Sequence, residues 1–528
     1  MKKASAIVLI SIITAFGIVK KAHTQGTKEL QRVISADLSQ NKGKTIKIWR
    51  KCVGAGRANE GLRADWQEQL RQVKKDCGFE YIRMHGLLHD DMGVYFEDEK
   101  GNPIYNWQYI DQLYDFLLSI QIKPFVELSF MPKALASGDK TCFWWKGNVT
   151  PPKSYDKWAN LIKALTQHFV DRYGKEEVKT WYFEVWNEPN LSYFYTAKLD
   201  DYFKLYDYTA RAVKSVSTDL RVGGPASAGT IWTKELIDYC NKNKCPIDFI
   251  STHLYAVTKG FLDETGKTGT ILSTNRKAIT EEVISVRHKI DTSSIPNLEL
   301  HFTEWSSSYT PTDRIHDTYH EAAFILDKIK GTEHSAHSML YWVFSDIFEE
   351  MGVRTTPFHG GFGLLNYQSI KKPSYYSYQF LNKLGEIEVK NTDTASWVCK
   401  SDNGNIQALF WDFTITKPEE SVPNQVYYKR DLPAKKKGNV QLKLINIPKG
   451  KYILKVMKVG YQSNDAYATY LKLGSPNQLT KAQVKAIKEE NGGNPGIVEQ
   501  VEIKGDKLFT YTLPMRENDL YFVELVKK

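Results

Sequence analysis

The stretch Trp181–Leu191, WYFEVWNEPNL, opens on aromatic and β-branched residues and closes on polar ones. Its first half reads as a buried strand. Glu184, Trp186 and Glu188 share one parity, so a regular strand is expected to send all three to one side. Asn187 and Glu188 come last before Pro189, which cannot continue a ladder. A carboxylate and an amide thus stand at the lip of a hydrophobic element.

Outward from this stretch, eight short β-rich runs recur between about residues 47 and 346: KIWRKCVGAG, YIRMHG, KPFVELSF, WYFEVWNEP, RVGGPAS, DFISTHLY, LELHFTEW and MLYWVFSD. Amphipathic stretches such as RADWQEQLRQVKKD and WANLIKALTQHFVDRYG separate them. Strand–helix alternation predicts a parallel sheet, and eight repeats over this length fit a (β/α)8 barrel. A doubly wound sheet is the alternative, but no glycine-rich phosphate loop follows the first strand. Beyond about residue 365 the texture changes to strands and turn signals, with TKAQVKAIKEENGG as the clear helical exception. The expected class is therefore α/β: a TIM barrel over 47–364 with a C-terminal antiparallel β-sandwich over 365–528. The strand-like segment within 25–46 is expected to join that sandwich.

Composition narrows the function classes. The 528 residues are 42% apolar and carry a formal charge of +10, but the lysines are scattered and form no basic stripe. No nucleic acid partner is expected. Six dispersed cysteines do not suggest a disulfide framework. Lys2 and Lys3 precede an apolar run and then AHTQG, which reads as a signal peptide over 1–24, an exported protein, periplasmic or secreted, and no membrane attachment of the mature form. Aromatics make up 13% of the chain and gather beside polar signals in CFWWKGN and SYFYTAKLDDYF, which suits sugar faces.

Glu188 in WNEPN and Glu304 in HFTEW end the fourth and seventh expected barrel strands, and such strand ends meet at one mouth. Two carboxylates about 5–5.5 Å apart are what retaining glycoside hydrolysis requires. Arg83, of inward parity with His85, is a candidate partner for the ionised one. HGLLHDD, with His253 and His301 elsewhere, offers a metal set as one alternative, but a metal-free, cofactor-free site is expected. A non-catalytic sugar-binding protein is the other alternative.

The ordered series CVGAGR, YIRMHGLLHDDMGVYFED, PFVELSFMPKALASG, GNVTPPKSYDKW, FEVWNEPNL, HFTEWSSSY, HDT, YWVFSDIFEEMG and FHGGFGLL resembles the glycoside hydrolase family 39 β-xylosidases over about residues 45 to 385. The resemblance implies Glu188 as acid/base, Glu304 as nucleophile and Asn187 as holder of the sugar 2-hydroxyl. It also implies a glycone pocket lined by His85, His253, Tyr255, Tyr309, Trp342, Glu349 and Glu350, with Phe130 at its floor. Trp305 and Ser306 depart from the Tyr and Asn that these enzymes often carry. The related α-L-iduronidases place a lysine where Tyr255 stands, so a neutral sugar is expected. The implied activity is exo-acting, retaining removal of β-D-xylose from xylo-oligosaccharides or other plant-polysaccharide fragments; β-glucosides and α-L-arabinosides are the alternatives.

Overall fold

The computed structural model describes residues 30–262, 268–419 and 421–528. The signal segment expected over 1–24 lies outside them. Eight parallel strands close a barrel: Cys52–Arg57, Tyr81–His85, Lys123–Leu128, Tyr182–Val185, Arg221–Ala228, Phe249–Tyr255, Glu299–Ser306 and Ser338–Tyr341. The first pairs with the eighth through Val53 and Tyr341. Local chemistry sets the helix ends. Ser154 caps Tyr155–Tyr173 by accepting from the Lys157 amide. Ala64–Cys77 stops at Gly78, whose φ of 76° suits a residue without Cβ.

The barrel interior is layered. At its N-terminal end Phe125 stacks on Tyr182 with ring centres 4.8 Å apart, and Phe249 and His301 close against them at 5.3 and 4.7 Å from Tyr182. Above this apolar floor lie Arg83, Glu127, Glu184 and Thr303, all buried. The helix Pro373–Asn382 follows the eighth strand and packs on the barrel, with Tyr378 against Phe79 and Tyr341. The barrel therefore runs past the boundary expected at 364, because its last helix is rich in aromatic residues and buried along most of its length, and shows little amphipathic signal.

The second body is a nine-stranded sheet. Its order is Ile497–Ile503, Gly450–Val459, Leu520–Lys527, Ile406–Trp411, Ser396–Lys400, Ile387–Asn391, Leu30–Lys44, Lys436–Ile445 and Phe509–Arg516. All neighbours are antiparallel except Leu30–Lys44 with Lys436–Ile445, which run parallel. Ile34, Val398, Leu442, Leu454, Ile503 and Leu513, drawn from the middle and both ends of the sheet, share one core, so the sheet folds over on itself as a sandwich. Helices Ala466–Lys472 and Lys481–Glu490 are inserted in it. Trp49 beneath the barrel meets Trp397 of the sandwich at 5.9 Å, and Trp397 meets Trp411 at 5.1 Å. The six cysteines are buried free thiols.

Candidate active site

The fourth barrel strand ends at Val185, and the chain then takes left-handed turns at Trp186 (φ 73°) and Glu188 (φ 43°). These break the period-2 alternation. Glu184 faces the barrel interior as expected, but Trp186 swings outward and packs on Phe130, Trp158 and Tyr195. It does not share a side with the two glutamates. The turn brings Asn187 and Glu188 into the barrel mouth, where the Glu188 amide donates to the Ala226 carbonyl at 2.8 Å. Left-handed geometry in a non-glycine residue costs about 1–3 kcal/mol and persists only where the surroundings hold it.

Strand seven also breaks alternation. Thr303 Oγ1 donates to Glu184 and Glu304 Oε1 accepts from Arg83, so consecutive residues both face inward. The register slips on both flanks, between Thr252 and His253 on the sixth strand and between Phe302 and Trp305 against the eighth. Trp305 then points outward onto Phe324 and Tyr341. Ser306 Oγ donates to the Ser308 carbonyl. The departure from the family pattern at Trp305 therefore does not reach the pocket.

Arg83 is the hub. Fully buried, its guanidinium bonds Glu184 at 2.5 Å, Glu127 at 2.8 Å, Glu304 at 2.9 Å and the Asn187 amide oxygen at 2.9 Å. Burial opposes its charge, and Glu127, Glu184 and Glu304 more than offset this, so its pKa lies above the ordinary range. His85 Nδ1 is 2.7 Å from Glu127, which fixes the ring's orientation. Glu127 itself also accepts from Ser129 Oγ.

The two mouth glutamates are unequal. Burial, followed by the neighbouring Glu304, raises Glu188 well above the usual carboxylate range. Burial raises Glu304 too, but less far, because Arg83, His85 and a 2.8 Å bond from the Tyr255 hydroxyl oppose it. The pair titrates together, and these partners leave the charge on Glu304 and the proton on Glu188. Between them His253 Nδ1 lies 2.9 Å from Glu188 and 3.5 Å from Glu304. Burial, with Arg83 and His85, holds His253 well below the usual imidazole range and so neutral.

Glu188, His253 and Glu304 offer ligand atoms within 4.8 Å of one another, the set among the described residues close enough to hold a metal ion. The Arg83 cation already occupies one Glu304 oxygen, and a second cation there would be repelled. His85 and His89 have the i, i+4 spacing of a helical ligand pair, but His85 ends a strand while His89 bonds Asp91 and packs on Trp145. His301 sits in the apolar floor, bonded to Ser338 and Glu299.

A cavity of about 800 Å³ opens over the pair. Of the residues expected from the sequence, His85, Asn187, Glu188, Tyr255, Glu304, Tyr309, Trp342 and Glu350 line it. His253 and Arg83 lie buried behind the carboxylates. Phe130 is not the floor. It is fully buried behind the lining, edge-on to Phe143 and stacked near Phe194, which stand between its ring and the cavity. Of the adjacent acids only Glu350 enters the pocket. Glu349 turns back to Arg57 at 3.0 Å and Arg63 at 2.7 Å. Burial, then Glu304, raises Glu350 well above the carboxylate range. Phe143, Tyr193, Phe194 and Met351 are among the other residues of the walls. The first three belong to the aromatic clusters noted beside polar signals, which was the available clue to them.

Two inward carboxylates at the C-terminal mouth of a barrel, one held protonated and one ionised within an aromatic cavity, are the equipment of a glycoside hydrolase. Comparison with known proteins agrees. The family model Glycosyl hydrolases family 39 matches residues 32–506. A beta-xylosidase of Caldicellulosiruptor saccharolyticus is 41% identical over 86% of this chain and 90% of its own length. A beta-xylosidase of Geobacillus stearothermophilus is 38% identical over 92% and 94%. The crystal structure of the GH39 enzyme from Xanthomonas axonopodis pv. citri superposes with a TM-score of 0.92 at 40% identity, covering 97% of this chain and all of that one. The chain belongs to glycoside hydrolase family 39.

Proposed function

We propose that the protein is a retaining, exo-acting β-xylosidase in which Glu304 is the nucleophile and Glu188 the general acid/base. The observation that carries this is the asymmetry of the pair: ligand oxygens within 4.8 Å, with Arg83 and Tyr255 bonded to Glu304 and neutral His253 bonded to Glu188. In the first step Glu304 attacks the anomeric carbon while the Glu188 proton passes to the departing glycosidic oxygen. In the second, Glu188 takes a proton from water, which attacks the same carbon and breaks the ester to Glu304. Arg83 engages the Asn187 carbonyl oxygen, which leaves the amide nitrogen to donate to the sugar 2-hydroxyl.

Xylose lacks the exocyclic hydroxymethyl of glucose, and Tyr255, Tyr309, Trp342 and Phe143 are bulky lining residues that would exclude it. Forcing an extra group into such a site costs about 1–3 kcal/mol, so β-D-xylosides should exceed β-D-glucosides about ten- to a hundred-fold in kcat/KM. A panel of nitrophenyl glycosides tests this, with proton NMR of the first-released sugar. Faster turnover of β-glucosides or α-L-arabinosides, or α-xylose appearing first, would overturn the reading.

We also propose that the protein is exported, on the strength of the basic and apolar start of the chain. The mature protein should then begin near Gln25, as N-terminal sequencing would read. Recovery of a soluble chain retaining Met1 would refute it.

A further inference from the structure

One wall of the cavity is an arch, Tyr309–Thr310–Pro311. Its two feet are Ser308 and Asp313, both fully buried. Within the arch the Asp313 amide donates to the Thr310 carbonyl at 3.1 Å and the Thr310 amide donates to Ser308 Oγ at 3.2 Å. Neither foot is held by the barrel strands alone. Thr270 Oγ1, from the hairpin Val257–Leu262 and Thr268–Leu272 that follows the sixth strand, lies 2.9 Å from Ser308 Oγ and 3.0 Å from Asp313 Oδ2. Asn424 comes from the other domain, on an excursion between sandwich strands Ile406–Trp411 and Lys436–Ile445. Its side-chain nitrogen donates to Asp313 Oδ2 at 2.8 Å and to Thr270 Oγ1 at 3.0 Å, and its oxygen accepts from the Leu272 amide at 2.9 Å. Thr270 and Asn424 are fully buried as well. Tyr428 of the same excursion packs with Leu272 and Ile315, which fixes the approach. The hairpin also reaches the arch from above, where a Cβ added at Gly260 would fall 2.1 Å from the Tyr309 hydroxyl.

We propose that Asn424 is a positioning residue through which the sandwich domain sets the sugar-binding wall Tyr309–Pro311. It touches no substrate and acts by holding Ser308 and Asp313 in register through a buried polar network, in which Thr270 also bonds the neighbouring Gln425. Such a network is worth most when every member is satisfied, and removing one member leaves buried partners unpaired. Asparagine is the side chain that fits, because the position needs one acceptor for the Leu272 amide and donors for Thr270 and Asp313. Aspartate would keep the acceptor and set a second carboxylate against Asp313.

This inference rests on the cavity being the substrate site and not on which sugar it takes, so the assay uses whichever nitrophenyl glycoside the wild-type enzyme turns over fastest. Asn424→Ala should raise KM about three- to ten-fold with kcat within about two-fold, because the wall binds substrate and the carboxylates are untouched. Asn424→Asp should show the larger KM defect at neutral pH, and its KM ratio to wild type should fall toward one as pH drops and a proton bridges the two carboxyls. Asn424→Ala should show no such recovery. If Asn424→Ala does not fold, Thr270→Val, which removes the other hub with little change in shape, should give the same split between KM and kcat. Unchanged KM in the folded variants, equal loss in kcat, or an Asn424→Asp ratio that ignores pH would each overturn the proposal.

Discussion

Glu304→Ala is expected to lower kcat by about 10⁴-fold or more, because it removes the carboxylate proposed to form the glycosyl ester. Azide added to this variant should restore turnover as a glycosyl azide of inverted configuration, since it fills the space of the lost carboxylate and attacks from the same face. Glu188→Ala should behave differently. Substrates with poor leaving groups should slow far more than activated ones, because only they need the proton, and azide should give a product of retained configuration. The pH profile carries the same signature. Because Glu188 is held protonated above the usual carboxylate range, wild-type kcat/KM should fall on the alkaline side as that proton is lost. Glu188→Ala should remove that limb. Exchanged azide products between the two variants would reverse the roles assigned to them.

Arg83→Met is expected to be as damaging to the fold as to the chemistry. The guanidinium is fully buried and faces Glu127, Glu184 and Glu304, and its loss leaves three carboxylates in the barrel without a counter-charge. Removing one partner of a buried ionic cluster costs about 3–5 kcal/mol. The uncompensated acids would raise their pKa values and bind protons, so the loss should shrink as pH falls and they become neutral. Thermal unfolding of the variant and the wild type across pH measures this. A variant with the wild-type melting temperature at neutral pH would remove Arg83 from its role as hub.

The barrel was legible because parallel strands buried on both faces read as apolar runs and their crossover helices as amphipathic ones. The proposed catalytic pair stood out for a related reason: polar residues at the ends of such runs have few structural uses. What the strand period could not reveal were its own failures. At Trp186 a left-handed residue turns the indole outward, and at Thr303 and Glu304 a register slip turns neighbours inward together. Glu127 was hidden within KPFVELSF, where a buried acid has meaning only once Arg83 and His85 are seen beside it. The pairing Glu349 and Glu350 could not be divided by sequence, since the division depends on Arg57 and Arg63 at a distance. Phe143 and Phe194 reach the cavity from separate loops, and no local pattern distinguishes them from Phe130 behind them.

The place of Leu30–Lys44 in the sandwich governs the order in which this molecule can be completed. Its neighbours on either side are Ile387–Asn391 and Lys436–Ile445, so the earliest of the described strands waits for partners that are made much later in the chain. The barrel shares this property, since its first strand is sealed by Ser338–Tyr341. Long-range closures of this kind are slow and leave strand edges exposed meanwhile. Neither body can finish until most of the chain exists, and each is closed by joining an early segment to a late one. Trimming residues 30–44 would therefore do more than shorten a terminus. It would open the middle of a sheet, with Ile387–Asn391 and Lys436–Ile445 left as two raw edges facing each other across the gap.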